Sequence, residues 1–392
     1  MEAGKQDQYI SHKFKAVSVD DFSKIYPFIN KFLMEHGEDE QSRNGNTKEV
    51  LNFKTEITNP YQRISGCLER DINIFFLIAE AMWIFSGKGD VEYLKQFNSK
   101  IADYSDDGVN FHAPYGWRLR KYGITTQKIE DGNKHILNES IDQIQYAVKM
   151  LSEDSSDRRV VLSIWNPELD LGVKSKDLPC NDLLMLKVRK GKLHATISNR
   201  SNDLHWGLPT NIFQFSFLTE IISLCLGIEL GTQTHNSQSL HFYLENNICW
   251  DLYTNLTLKN NVVDSLYDET EFKKIDYQFS SSVPTTRLTE ISNTIKAIVD
   301  GQIFSDYLLS KSTVLCFYKL LLDSYLKYKE SNKTDEDKLE AIHWIIQKYN
   351  ELFFDNPLKN DVCVMALNFF ASKMKNQTLV PAEFLTLRIG KY

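Results

Sequence analysis

Cys180 stands in the run Asp177-Leu178-Pro179-Cys180-Asn181, and Arg200 follows twenty positions later in Arg200-Ser201-Asn202-Asp203. Between them, the apolar run 183–188, the Lys190-Gly191 step and the alternating Leu193, Ala195 and Ile197 predict a β-hairpin. Folded about Lys190-Gly191, that hairpin returns Arg200 to the side of Cys180. A guanidinium beside a thiol favours the thiolate, the form that attacks carbon. The pair therefore predicts a nucleophilic cysteine, against the usual fate of a lone cysteine as a small buried hydrophobe.

The surrounding pattern supplies the elements that must hold this pair. Phe22, Ile25, Tyr26, Phe28, Ile29, Phe32 and Leu33 predict a helix over 20–36, followed by a polar loop with Arg43-Asn44-Gly45-Asn46 and a strand over 50–57. Residues 71–85 are apolar on nearly every side, which predicts a buried helix ending near Gly87. Glu80 is the one acid in it after Asp71, and an acid there is costly unless hydrogen-bonded or functional. Residues 115–118 read as loop, 138–151 as helix, 160–165 as a strand introduced by Arg158-Arg159, and 211–226 as a second apolar helix. Strands follow at 232–243 and 272–279. His241 and Tyr243 alternate on the first of these, so they share a face. Beyond Ser280-Ser281-Ser282-Val283-Pro284 only helical periods remain, over 287–300, 304–328, 335–353 and 360–375. The expected division is a catalytic domain at 1–283 and a helical extension at 284–392.

Composition sets the bounds. The 392 residues are 42% hydrophobic and 12% aromatic, enough for a large core. The formal net charge of −7 leaves no global basic field for a nucleic-acid polymer, although a few arginines can still hold a small anion. No run approaches a membrane span, and Met1-Glu2-Ala3-Gly4-Lys5 has no apolar signal core, so a cytoplasmic, membrane-free protein is expected. The six cysteines contain no CxxC pair and the nine histidines no ligand spacing, so no metal is expected.

With these pieces in order, the chain resembles the thymidylate synthase and pyrimidine hydroxymethylase family. The matching elements are Arg43, Ala79-Glu80-Ala81-Met82-Trp83, Pro114-Tyr115-Gly116, Asp157-Arg158-Arg159 leading into Ser163-Ile164-Trp165-Asn166-Pro167, Leu178-Pro179-Cys180, Arg200-Ser201-Asn202-Asp203, Gly207-Leu208-Pro209-Thr210-Asn211 and His241-Phe242-Tyr243. The resemblance implies an α+β fold, a mixed twisted sheet flanked by helices, here with a C-terminal helical extension. It also implies a homodimer packed sheet against sheet, with each site borrowing arginines from its partner.

The implied substrates are a pyrimidine deoxynucleoside monophosphate and 5,10-methylenetetrahydrofolate. Arg43, Arg200 and Ser201, with Arg158 and Arg159 from the partner, would hold the phosphate, since a dianion calls for several fork-shaped donors. Cys180 would add to C6 of the ring. Glu80 would move protons through ordered water at the ring oxygen and the folate, and Tyr115 would help remove the C5 proton. His241 and Tyr243 would hold the ribose 3′-hydroxyl. Asp203 would accept from the pterin, beside a folate wall that includes Tyr104, Trp206 and Gly207. Asn211 decides the base: uracil offers an N3–H donor and an O4 acceptor, which a carboxamide matches with its own oxygen and NH₂. Cytosine presents the reverse, and the family's cytidylate enzymes place an acid here, so asparagine points to dUMP.

Departures from the synthase pattern set the expected outcome. Ile101 and Tyr104 replace two tryptophans, Asn181 follows the cysteine where synthases commonly have histidine, Trp206 and Thr210 alter the folate wall, and the chain ends Leu387-Arg388-Ile389-Gly390-Lys391-Tyr392 without a short apolar closing tail. A wetter folate pocket favours water over hydride as the partner of the exocyclic methylene intermediate. The expectation is hydroxymethylation of dUMP, with thymidylate synthesis the alternative and an inactive binding dimer the third reading.

Overall fold

The computed structural model describes residues 10–11, 15–42, 44–65, 72–130, 133–258, 272–354, 356–357 and 360–376. Its strands are β1 (Ile10–Ser11), β2 (Ala16–Val19), β3 (Glu38–Ser42), β4 (Gly45–Ile57), β5 (Tyr122–Glu130), β6 (Asn133–Ile141), β7 (Val161–Ser163), β8 (Asn181–Arg189), β9 (Lys192–Asn199), β10 (Asn202–Asp203) and β11 (Glu229–Tyr243). The first eight helices are α1 (Phe22–His36), α2 (Ile74–Ser86), α3 (Glu92–Lys95), α4 (Tyr115–Arg120), α5 (Gln143–Glu153), α6 (Pro167–Asp170), α7 (Gly207–Leu226) and α8 (Asn247–Leu258). Five more close the described chain: α9 (Pro284–Val299), α10 (Ser305–Lys311), α11 (Thr313–Glu330), α12 (Asp335–Phe353) and α13 (Asp361–Ser372).

Seven strands run in the order β1-β2-β4-β11-β9-β8-β7, with β3 joined to β4 and β10 to β11 in one nine-stranded mixed sheet. One face is core: His235, Ile197, Leu184 and Leu162 stand in a cross-strand row and are buried under α2, α5 and α7. The row beside it carries Glu56, Thr234, Thr196, Met185 and Val161 on the other face. Val161 is 48% exposed there, a β-branched residue on the surface of a sheet.

α2 and α7 are apolar all round because both run through the interior, and each ends on a left-handed glycine, Gly87 at φ 74° and Gly227 at φ 71°. The C-terminal helices share the core of α2: Phe75 meets Tyr325, Phe369 and Phe370, and α9 packs on α2, α5 and α7. Arg63 and Glu220 form a fully buried ion pair near this junction, with the Arg63 guanidinium 4.0 Å from the Phe272 ring centroid.

Several elements differ from expectation. Residues 115–118 open helix α4, not a loop; the short helix lies directly on α2, where a Cβ on Gly116 would come 2.1 Å from the Ile84 carbonyl oxygen. Helix α5 begins at Gln143, capped by the Asp142 side chain, and 138–141 belong to β6. Ser312 breaks the expected helix 304–328 in two, capping α11 with its own side chain. Residues 272–279 are extended but pair with no strand among the described residues. Phe272, Ile275 and Tyr277 turn inward, while the backbone N–H of Ile275 bonds to Glu220 and that of Gln278 to the Lys311 carbonyl. The segment lies against helices α7, α9 and α11 instead. The closing run 387–392 and Cys67 lie outside the described residues.

Candidate active site

β8 and β9 form the expected hairpin, closed by Lys190 and Gly191 at φ 51° and 71°, the signature of a type I′ turn. Asn181 pairs with Asn199, and the Arg200 N–H donates to the Cys180 carbonyl at 3.0 Å. The Arg200 side chain then folds back over the loop: Nε donates to the Pro179 carbonyl at 2.8 Å, and Nη2 to the Leu178 carbonyl at 3.1 Å and to Cys180 Sγ at 3.8 Å. Two carbonyls thus fix the cation against the sulfur. The thiol itself calls for a correction. Burial pushes Cys180 above its ordinary value, and the Arg200 charge is the largest force pulling it back. The guanidinium is where the sequence placed it, but it offsets desolvation only in part.

Across the site, α2 presents Glu80 and α7 presents Gln214, whose Nε2 donates to Glu80 Oε2 at 2.5 Å. Among the described residues no cation shares this contact, and burial raises the Glu80 carboxyl to about 8, the charge of Asp177 adding to the rise. Tyr115, at the start of α4, accepts the Cys180 backbone N–H at 3.3 Å. Burial, then the neighbouring Cys180 and Asp177, push its hydroxyl upward. A buried cluster below anchors α4: Arg118 grips Asp170 with both terminal nitrogens, at 2.8 and 3.3 Å, and His112 meets the same carboxylate at 3.0 Å.

Asn211 sits at the start of the second turn of α7 inside a row of side-chain amides. Asn181 donates to its oxygen at 3.0 Å, and its own NH₂ donates to Asn202 at 3.1 Å. Asp203 Oδ1 accepts the backbone N–H of His205 at 2.6 Å and of Trp206 at 2.5 Å, and β10 pairs Asp203 with His241. Tyr104 and Trp206 are 56% and 62% exposed, and after burial the charge of Asp203 is the next cause that raises the Tyr104 hydroxyl. Gly207 is required at the helix start, because a Cβ would stand 2.9 Å from Asn202 Oδ1. His241 and Tyr243 meet edge to face at 5.6 Å on the shared face that alternation predicts.

Residues 24–297 match the sequence profile of the family described as thymidylate synthase, which is most of the chain. The chain belongs to that family. Among individual relatives, the deoxyuridylate hydroxymethyltransferase of Bacillus phage SP01 is 38% identical over 225 residues, covering 57% of each chain. That of Pseudomonas phage M6 is 37% identical over 210 residues, 52% of this chain and 54% of the relative. Thymidylate synthase 1 of Bacillus spizizenii (strain ATCC 23059 / NRRL B-14472 / W23) is 30% identical over 237 residues, 57% of this chain and 79% of the synthase. The match therefore spans little more than half the length of the two hydroxymethyltransferases.

The contacts above join Cys180 to Tyr115 and Arg200 and, through its neighbour Asn181, to Asn211; Glu80 is held by Gln214 and is linked to this group by the charge of Asp177, which acts on Glu80, Tyr115 and Cys180 alike. Ser201 follows Arg200 directly and is half-buried. Arg158 and Arg159 do not join the cluster: both are exposed at the start of β7, and Arg159, 82% exposed, is held by Asp157 through Nε at 3.0 Å and Nη2 at 2.8 Å. Arg43 lies outside the described residues. Sequence reasoning missed Gln214 and Asp177. Gln214 carried the same signal as Glu80, a polar side chain inside an apolar helix. Asp177 stands three residues before the cysteine; Ala113 N–H donates to it at 2.8 Å, and burial raises it to about 6. Among the described residues no group of His, Cys, Asp and Glu could hold a metal, and no helix is long and apolar enough to cross a membrane.

Proposed function

We propose that the protein is a deoxyuridylate hydroxymethyltransferase, converting dUMP, 5,10-methylenetetrahydrofolate and water to 5-hydroxymethyl-dUMP and tetrahydrofolate. The observation that carries the chemistry is the Arg200 guanidinium fixed by two carbonyls 3.8 Å from Cys180 Sγ, with Asn211 at the same floor. The Cys180 sulfur adds to C6, and the C5=C6 electron pair moves to C5 and O4. C5 bonds to the folate methylene carbon. Loss of the C5 proton, with Tyr115 as the nearby oxygen, and departure of the tetrahydrofolate nitrogen leave an exocyclic methylene. Water adds to that carbon and gives up a proton, while the C6–S bond breaks and returns the thiolate. Glu80, held largely protonated at neutral pH, supplies and receives protons through water at O4 and at the folate nitrogen.

The residues fit the two ligands. Tyr104 and Trp206 are exposed and would offer flat apolar surface for a pterin, with the Asp203 carboxylate adjoining Trp206. His241 and Tyr243 would meet the ribose. Arg200 and Ser201, with Arg43, would hold the phosphate, joined by Arg158 and Arg159 of a second copy. That last role rests on a homodimer through the open sheet face, where Val161 and Met185 lie, both arginines being exposed just before the strand that carries Val161. The water-accepting outcome is favoured over hydride transfer by the higher identity to the two phage hydroxymethyltransferases than to the synthase. Residues 1–283 would carry this chemistry, and 284–392 would buttress α2.

Mass spectrometry of the nucleotide formed from dUMP and methylenetetrahydrofolate tests the reading. A product heavier than dUMP by one CH₂O unit, with tetrahydrofolate, is expected. A product heavier by CH₂, with dihydrofolate, would establish a synthase. No product, with no covalent capture of 5-fluoro-dUMP, would reject both.

A further inference from the structure

The side-chain amides around Asn211 all point the same way. Asn199 donates to Asn181 Oδ1; Asn181 donates to Asn211 Oδ1 at 3.0 Å; Asn211 donates to Asn202 Oδ1 at 3.1 Å; Asn202 donates to Ser237 Oγ at 3.0 Å. All five residues are buried. Asn181 also offers an N–H to the Tyr115 oxygen. A carboxamide has two N–H groups and two oxygen lone pairs, so Asn211 spends one of each on its neighbours and keeps one of each for a ligand. Rotating Asn211 by half a turn would set NH₂ against the NH₂ of Asn181 and oxygen against the oxygen of Asn202. Both hydrogen bonds would be lost where water cannot replace them, unless the whole row turned together.

We infer that Asn181, the residue directly after the nucleophile, is a positioning residue for base choice: it locks the Asn211 amide in the one orientation that matches uracil and opposes cytosine. The inference rests on the dUMP reading above and deepens it. Uracil needs an acceptor at N3–H and a donor at O4, and cytosine needs the two exchanged, so an amide free to turn would accept either ring. The lock, more than the presence of asparagine at 211, makes the choice.

Binding without folate separates this from the catalytic question. Dissociation constants of dUMP and dCMP are measured by calorimetry for the unaltered protein, for Asn181→Leu, which keeps the number and branching of side-chain heavy atoms and removes the amide's hydrogen bonds, and for Asn202→Ala, which frees Asn211 from the other side. The expected result is a dUMP preference in the unaltered protein that narrows about tenfold or more in either variant. Equal weakening of both nucleotides, with the ratio unchanged, would mean that Asn181 merely supports the fold and would overturn the inference while leaving the dUMP assignment standing. Should Asn181→Leu fail to fold, the Asn202→Ala ratio decides alone. An unaltered protein that prefers dCMP, or binds neither nucleotide, would overturn the substrate assignment and this inference together.

Discussion

The two halves of the candidate site treat the same physical problem in opposite ways. On the hairpin side, burial raises the Cys180 thiol and a guanidinium is clamped against it to oppose the rise. On the α2–α7 side, burial raises Glu80 to about 8 and the facing group is a neutral amide, so little opposes it. Desolvation is common to both; the partner decides the protonation state. One half is built to yield an anion when an electrophile arrives, and the other to keep a proton at neutral pH. A thiol opposed by a cation and a carboxyl left protonated can then serve the proposed roles of nucleophile and proton donor in one site.

Removing the Cys180 sulfur, the proposed nucleophile, is the most severe break of that contrast. Cys180→Ser should lower turnover by at least about a thousandfold and abolish covalent capture of 5-fluoro-dUMP in a denaturing gel, with dUMP binding retained. Retained turnover in this variant would end the hairpin half of the argument. Glu80→Gln removes the proton reservoir and keeps the shape. Its expected cost is about a hundredfold or more in kcat, with KM for dUMP little changed. The unaltered enzyme should also lose activity as pH rises through about 8, because the carboxyl must be protonated to donate, and the glutamine variant should show no such limb. A limb that survives in the variant would assign it to another group.

Arg200→Ala sharpens the other side. With the cation gone nothing of equal size opposes burial, so the pH midpoint for alkylation of Cys180 by iodoacetamide should move upward. An unmoved midpoint would make Arg200 a phosphate ligand alone. The expected change in activity is smaller than that of Cys180→Ser, since the sulfur remains.

Much of this contrast was legible in the chain, for reasons that differ by half. The hairpin is local: a turn pair, alternating residues and a fixed count of twenty positions place Arg200 beside Cys180 without knowledge of the rest of the fold. Glu80 was legible as an anomaly, an acid in an apolar helix, and Gln214 carried a similar mark, but they lie 134 residues apart and no local pattern pairs them. The net direction of the thiol shift was also out of reach, because it depends on how much protein surrounds Cys180 rather than on which residues neighbour it in sequence. The loop assignment at 115–118 failed for a related reason. A Tyr-Gly-Trp run has little helical pattern of its own, and the helix exists because Gly116 lets it rest on the α2 backbone. The strand reading of 272–279 failed because the segment is extended and half-buried as a strand would be, yet lies against helices.

The smallest expected effect tests the proton-holding half without any substrate. A carboxyl that titrates near 8 when folded and near 4.5 when free binds its proton more tightly in the native state. Its contribution to stability is fully present below about pH 4.5 and is lost as pH rises through about 8. Glutamine mimics the protonated form at every pH, so Glu80→Gln should match the unaltered protein near pH 5 and exceed it at pH 9, by about 2–4 °C in Tm. Arg200→Ala, tested in the same two buffers, should show no such crossover, since the guanidinium stays charged throughout. If Glu80→Gln gained nothing at pH 9, the carboxyl would be ionised in the folded protein at neutral pH. The two halves of the site would then differ only in which anion they hold, and the proton at O4 would have to come from elsewhere.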